Sequence, residues 1–396
     1  MVRRWIANTC IYTDSATFHR SINLPCTRLS IHLTTVSGSV SSGRGTRYFR
    51  LATVIATICA ATTSARADVG GFEDLPKPVL ACGTPQVGFF DEFITVIGPN
   101  TDARGEALAG DAVYFRRGGG PWEKTQQVFN GAHALTRMPT GKWLIADTGN
   151  NRLVQMDDIS GAGHIAFRST LAGFKLNRPH YALALPVEGY VYVIDGKRRL
   201  FRFRDLEQRA QVWTFTAKQL GYARSLSWFD GHVHIIVSGR GQVLRIESFE
   251  KHRYTVFRSP RPVITPLPIF AIYNSPYMDF GAGALTSTGL VLNGVEKVGD
   301  WYYGSNNFIV QYSLGDDTRP ARLIRWRNWV DFQRGKWQDL SGYLPASDIP
   351  PVPYFLSVHK GSLYAGVNSR KINAEGCSFG GVFHLELAVL ENDRNQ

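Results

Sequence analysis

The chain has 396 residues, 44% hydrophobic and 12% aromatic, enough for one large all-β domain or two ordinary ones and too apolar for wholesale disorder. Its formal net charge of +12 sits largely at the N-terminus: residues 1–67 hold eight Arg, no Lys and one acid, Asp14, leaving 36 basic against 31 acidic side chains in 68–396. A mildly basic remainder is weak evidence for nucleic acid, because a nucleic-acid footprint needs a patch and not a sum, and the export read from residues 47–67 leaves no nucleic-acid partner expected.

Residues 1–46 contain a Ser/Thr-rich stretch, Thr27 to Thr46, with little core-forming pattern. They are expected to be an unstructured extension or an over-extended start. Residues 47–67 read as a signal peptide. Arg44, Arg47 and Arg50 precede the thirteen-residue apolar run Leu51–Thr63, and Ala65-Arg66-Ala67 offers a small-residue cleavage site. Thirteen residues are too few to span a bilayer as a helix, which needs about 20, so no membrane span is expected in the mature chain. A transit peptide shares the Arg-rich, acid-poor character of residues 1–66. The compact apolar run and the Ala-x-Ala site favour secretion or a periplasmic location, with cleavage after Ala67. Three of the five Cys fall in the leader, and only Cys82 and Cys377 remain, one near each end of the mature domain. In an oxidising compartment these two form a natural disulfide pair, worth about 4–5 kcal/mol in the chain-entropy account; two buried free thiols are the alternative.

From about residue 80 to 390 one phrase recurs: an apolar strand, a Gly-containing turn, a second apolar strand, a polar tight turn and a third, alternating strand. Copies begin at His133, His180, Arg224, Asn293 and Tyr354. Trp143-Leu-Ile, Val191-Tyr-Val-Ile and Val233-His-Ile-Ile are short and rich in β-branched and aromatic residues, as strands are. Glu188-Gly189 and Asp230-Gly231 suit tight turns. A Pro-rich insertion around Pro260–Pro276 precedes the fourth copy. The second strands of the first three copies fall 40–50 residues apart, the period of four-stranded propeller blades. The expected fold is an all-β, six-bladed β-propeller of four-stranded blades, forming a single domain over residues 80–390. Five copies are visible. The sixth blade is expected to combine residues near 83–128 with the C-terminal end, and a Cys82–Cys377 bridge would staple that closure.

Ala146-Asp-Thr-Gly-Asn-Asn-Arg-Leu-Val154 resembles an NHL repeat, and the chain from about 85 to 390 resembles the six-bladed propeller group of NHL, gluconolactonase-like and streptogramin-lyase-like proteins. The resemblance implies architecture and leaves the activity open, because such folds host many functions.

Aligning the copies on Leu135, Leu183, Leu226, Val295 and Leu356 places His133, Tyr181, Arg224, Asn293 and Tyr354 at one repeated position. The first strand of a blade lines the central channel, so these five form a candidate ligand-binding ring, with His180 and Glu296 beside it. Polarity of channel-lining groups that simply face water is the competing account. His133 and His180 are the candidate general bases of a lyase or lactonase. Related propellers often carry a central calcium, for which Asn274, Asn293, Glu296 and Asn306 are the available oxygen donors, although no full ligand set matches residue by residue. The cation–indole stretch from Arg322 to Trp329, continuing to Trp337, reads either as a glycan-stacking face or as an outer strand with Arg stacked on Trp. Two functions follow: a non-enzymatic scaffold binding a protein or polysaccharide partner, or a propeller hydrolase or lyase with a central, calcium-dependent site.

Overall fold

A computed structural model describes residues 34–40, 47–53, 72–81, 86–238, 241–260, 292–306, 323–344, 352–368, 372–373, 376–377 and 380–392. The chain divides into two units, 1–63 and 64–396. In the first, Thr34–Val40 pairs antiparallel with Arg47–Thr53. Cys82 lies outside the described residues, as does the side chain of Cys377, so the expected bridge is not described.

The second unit is a ring of six antiparallel sheets. Blade 1 consists of β1 (Val87–Phe90), β2 (Phe93–Thr101), β3 (Ala107–Arg117) and β4 (Glu123–Lys124). Blade 2 is β5 (Ala132–Arg137), β6 (Trp143–Asp147), β7 (Arg152–Met156) and β8 (Ile165–Arg168). Blade 3 is β9 (Tyr181–Leu185), β10 (Tyr190–Ile194), β11 (Arg199–Phe203) and β12 (Gln211–Thr214). Blade 4 is β13 (Ala223–Phe229), β14 (His232–Val237), β15 (Gln242–Ser248) and β16 (Arg253–Arg258). Blade 5 is β17 (Leu292–Val298), β18 (Trp301–Asn306), β19 (Leu323–Trp326) and β20 (Gln338–Asp339). Blade 6 has three strands among the described residues: β21 (Val352–His359), β22 (Ser362–Asn368) and β23 (Gly380–Glu386).

The local reasons match the physics of the repeat. Second strands such as β6 and β10 are almost wholly apolar because blades cover both their faces, so strict alternation gives way to continuous hydrophobic runs. The turn between β13 and β14 places Asp230 and Gly231 at φ 52° and 73°. Two consecutive positive φ values define the hairpin turn that matches strand twist, and Asp-Gly is the pair that tolerates it best. Between blades, apolar side chains interdigitate in vertical layers. Ile97, Val113 and Phe115 of blade 1 pack on Leu135, Ile145 and Val154 of blade 2, and equivalent layers fill the other interfaces.

The inner strands follow one another round the axis as β1, β5, β9, β13, β17, β21 and back to β1. Side-chain-to-backbone hydrogen bonds link neighbouring blades. Gln86 Oε1 accepts from Leu135 N at 2.6 Å, Ala184 N donates to Thr136 Oγ1 at 3.1 Å and Ser225 Oγ donates to Asn293 O at 2.8 Å. Ser305 Oγ donates to Tyr354 O at 2.5 Å, and Ser357 Oγ donates to Val87 O across the closure. At Gly294 an added Cβ would lie 3.0 Å from Leu356 N, so β17 and β21 approach as closely as a glycine permits.

The closure corrects one expectation. Residues 87–124 form a complete four-stranded blade by themselves, and among the described residues blade 6 is built from the C-terminal end without a strand from 87–124. The join is made by packing. Helix α1 (Lys77–Ala81) lies against β2 and β23, and Phe72, Leu75 and Val79 share a buried cluster with Val87, Val96, Tyr114 and Val382. The sequence pointed to a shared blade because the copy in 87–124 lacks the repeated turn chemistry. Its second and third strands, of 9 and 11 residues, obscure the period.

The Arg/Trp stretch forms the outer part of blade 5. Arg325 and Arg327 stack on Trp301 at 4.4 and 4.3 Å, and Trp326 is buried against Tyr302 at 5.7 Å. Helix α2 (Trp329–Gln333) follows, N-capped by Asn328, whose side chain accepts from Asp331 N. Arg325 is wholly buried, donating to Gln338 at 2.7 Å and to Glu391 and Leu390 O at 3.2 Å; it ties the terminal helix α3 (Val389–Asn392) to blade 5.

Candidate functional site

At one end of the axis the rim of blades 2 and 3 is built by the loops that precede the first strand and follow the second. In blade 2 the carboxylate of Asp147, fully buried at the end of β6, accepts from Asn130 N at 2.7 Å, Asn150 Nδ2 at 2.9 Å and Arg152 Nε at 2.7 Å. Blade 3 repeats the device. Asp195 accepts from Asn177 N at 3.3 Å, Lys197 N at 3.0 Å, Arg199 N at 3.1 Å and the Arg199 guanidinium. Gly149 N and Gly196 N donate to Asn130 O and Asn177 O, both at 2.7 Å. The two loops are joined where Arg178 N donates to Asn151 Oδ1 at 2.8 Å and Thr148 Oγ1 donates to Pro179 O at 2.6 Å. Hydrogen bonds to a buried carboxylate hold loop backbone far more rigidly than exposed turns do. The Asp-Thr-Gly-Asn-Asn phrase is therefore a scaffold for the rim.

That rim delivers the five aligned residues to the starts of the inner strands. His133 and Tyr354 lie 6.2 Å apart between ring centroids, and His133 and His180 4.1 Å apart. Arg224 lies between two tyrosines, its Cζ 4.9 Å from the Tyr222 ring and 5.0 Å from the Tyr354 ring, and its Nη1 donates to Tyr354 Oη. His180 Nδ1 contacts Arg224 O at 2.9 Å. Arg224 is 3% exposed, its Nε has no partner, and among the described residues it makes no ion pair. Blades 2, 3, 4 and 6 thus contribute to one cluster, with His133 and Tyr222 half-buried at its surface.

The other two ring members are placed differently. Tyr181 is buried, accepts from Gln86 Nε2 at 3.1 Å and packs edge-on against Phe355 at 5.1 Å. Asn293 is fully buried; its Nδ2 donates to Pro353 O at 3.3 Å and its Oδ1 has no partner. Of the calcium donors, Asn274 lies outside the described residues. Asn306 ends β18 fully buried, and Glu296 faces Ser227 of blade 4. Among the described residues no three His, Cys, Asp or Glu side chains gather closely enough to hold a metal ion.

Electrostatics divide the axis. Burial, reinforced by the charge of Arg224 and then Arg178, lowers His133 to about 3, and His180 is also held well below its ordinary value by burial, His133 and Arg224. Both imidazoles are neutral at physiological pH. Burial pushes Tyr354 up to about 12 against the opposing pull of Arg224, so it stays a neutral phenol. Deeper along the inner strands the Glu296 carboxyl is raised by burial to about 8, with Ser227 opposing. The mouth therefore carries positive charge, and the interior a carboxyl that keeps its proton near neutrality.

Sequence alignment missed Tyr222, Arg178, Phe355 and Gln86. Tyr222 and Arg178 precede their strands, where the repeat gives no fixed register, and Gln86 belongs to the blade that was not legible as a copy. Phe355, adjacent to Tyr354, follows from a β-irregularity between Pro353 and Leu356 that turns both rings toward the axis cluster. A concave surface of about 760 Å³ lies away from the axis at the outer strands of blade 3, where Tyr190 stands between Arg202 and Arg204 at 4.6 and 4.7 Å. Arg202 is already bound to Gln211 and Glu250, which makes it part of the blade's own structure.

No protein family and no curated protein matches the chain. Solved structures do. The inactive His-to-Ala virginiamycin B lyase of Staphylococcus aureus with quinupristin is similar at TM-score 0.46 and 10% identity, over 78% of this chain and 86% of that one. The YCF48 structure with a D1 peptide is similar at 0.40 and 11%, over 78% and 92%. A nidogen–laminin complex is similar at 0.41 and 11%, over 66% and 76%. No helix among the described residues is long and apolar enough to cross a membrane.

Proposed function

We propose that this chain is an exported propeller that binds a polysaccharide or protein partner through the face carrying the axis mouth. The observation that carries the reading is the convergence of His133, His180, Arg224 and Tyr354 from four blades on one rigid rim. Convergent polar groups at a concave mouth are the ordinary form of a ligand site. An imidazole held near 3 is a poor proton acceptor at neutral pH, so the histidines suit hydrogen bonding better than general-base catalysis. Export through residues 47–67, release after Ala67 and a Cys82–Cys377 bridge belong to the same proposal. The test is retention of polysaccharides and peptides on immobilised full-length chain. A true ligand loses binding with Tyr222→Ala and keeps it with Phe167→Ala on the outer strand β8; loss in neither variant would remove the mouth from consideration.

A second reading rests on Glu296. A carboxyl raised to about 8 is poised for proton transfer near neutrality, which fits a lactonase-like hydrolase or lyase with Glu296, rather than His133 or His180, as the acid–base group. Thermal unfolding with calcium, zinc or EDTA separates the two. A calcium-dependent rise in the midpoint, reversed by EDTA, favours the enzyme; superimposable curves favour the binding scaffold.

A further inference from the structure

Arg224 presents an unusual arrangement. A guanidinium that is 3% exposed normally has a carboxylate partner, because a buried charge without one is costly. Here its neighbours are two phenol rings, a neutral imidazole contact through its own backbone carbonyl, and one phenol oxygen on Nη1; Nε has none. Arg178 adds positive charge to the same locus, acting on His133, His180 and Tyr354. No acidic group among the described residues acts on Arg224, whose electrostatic neighbours are Tyr354 and Tyr222. The Glu296 carboxyl acts on Tyr181, and the Asp111 carboxylate beside His133 is held by the backbone N–H groups of Ala132 and Gly131. Preformed positive charge in a site with little water, flanked by hydrogen-bonding rings, is what an oxyanion ligand requires.

Resting on the binding reading above, we propose that the mouth recognises the carboxylate of a sugar acid, with Arg224 supplying the charge and His133 and Tyr222 the polar and flat surfaces beside it. The single rigid guanidinium fork matches a carboxylate. Tyr222, half-buried and 4.9 Å from the Arg224 Cζ, and His133, also half-buried, offer flat rings against which a sugar ring can stack. A free small acid offers the same carboxylate without the ring, and the experiment separates these sources.

The experiment is calorimetric titration of the full chain with oligogalacturonate, its fully methyl-esterified counterpart, acetate and polyglutamate. The expected result is binding of oligogalacturonate and loss on esterification, with Arg224→Gln weakening binding about tenfold to a hundredfold, as for a charge-assisted hydrogen bond. Tyr222→Ala should weaken it as well. Because Arg224→Gln alters a buried site, the wild-type chain gives an independent reading: the His133 imidazole nitrogen resonances should shift with galacturonate and not with galactose. Acetate binding as well as oligogalacturonate would keep the carboxylate site and assign it to free small acids. Equal binding of acid and ester, lost in Tyr222→Ala, would overturn the anion inference while leaving the mouth as a ligand site. Preference for polyglutamate would overturn the sugar assignment. Oligogalacturonate binding that survives both variants would place the ligand elsewhere and overturn both readings, and absence of binding by any acid would overturn the inference.

Discussion

Asp147→Ala should destabilise the propeller and loosen its rim together. The carboxylate is wholly buried and accepts three hydrogen bonds, from Asn130 N, Asn150 Nδ2 and Arg152 Nε. Breaking a buried ion pair by removing one partner costs about 3–5 kcal/mol when the other charge stays trapped. Arg152 is 27% exposed in its side chain and can turn toward water, which places the effect near the low end. The Asn130 N–H has no such escape, and an orphaned backbone donor alone costs about 1–3 kcal/mol. A total of about 3 kcal/mol corresponds to a fall in melting midpoint of roughly 4–5 °C for a domain of this size. Asp147→Asn keeps one acceptor and should fall about half as far on the same bookkeeping. Asp157→Ala is the control: its partner Lys142 is 3.6 Å away and both side chains are substantially exposed, so less than about 1 kcal/mol is expected. Calorimetry gives the midpoints, and hydrogen exchange at the Asn130 and Gly149 amides reports the rim. Equal midpoints for Asp147→Ala and Asp157→Ala, with unchanged exchange at those amides, would refute the reasoning.

Further expectations follow from other parts of the ring. Glu296, raised to about 8 in the folded chain from 4.5, keeps a proton that the unfolded chain releases, so stability should decline as pH rises between those values; in melting curves from pH 4 to 9, Glu296→Gln should flatten that decline, and an identical slope in both proteins would count against it. Phe72→Ala empties a site 2% exposed between Trp122 and Tyr364 and should cost about 3–5 kcal/mol in urea unfolding; an unchanged midpoint would mean that residues 72–81 do not close the ring. Arg325→Ala removes the donors to Gln338, Glu391 and Leu390 O and should cost about 2–3 kcal/mol with faster exchange in α3, whereas protection of α3 equal to that of the parent would show the tie to be dispensable.

How much of this could be read from the chain follows from the range of each interaction. Strand and turn chemistry is local. Trp143-Leu-Ile-Ala-Asp and Asp230-Gly231 carry their conformations in side-chain shape and backbone freedom, and their spacing exposed the blade period. The alignment of first strands likewise brought His133, Arg224 and Tyr354 into one frame, because a repeated fold puts equivalent positions at equivalent heights. Three things needed the tertiary structure. Ring closure depends on Phe72 and α1 meeting Val382, a contact across nearly the whole domain with no periodic signature. Which ring members face each other depends on the irregularities in β17 and β21, which turn Asn293 toward Pro353 and bring Tyr354 to Arg224. The protonation states of His133 and Glu296 come from burial and neighbouring charge, quantities that exist only once the blades surround the axis. Short-range stereochemistry thus determined the blades, and the enclosure produced by closing the ring decided the chemistry at the centre.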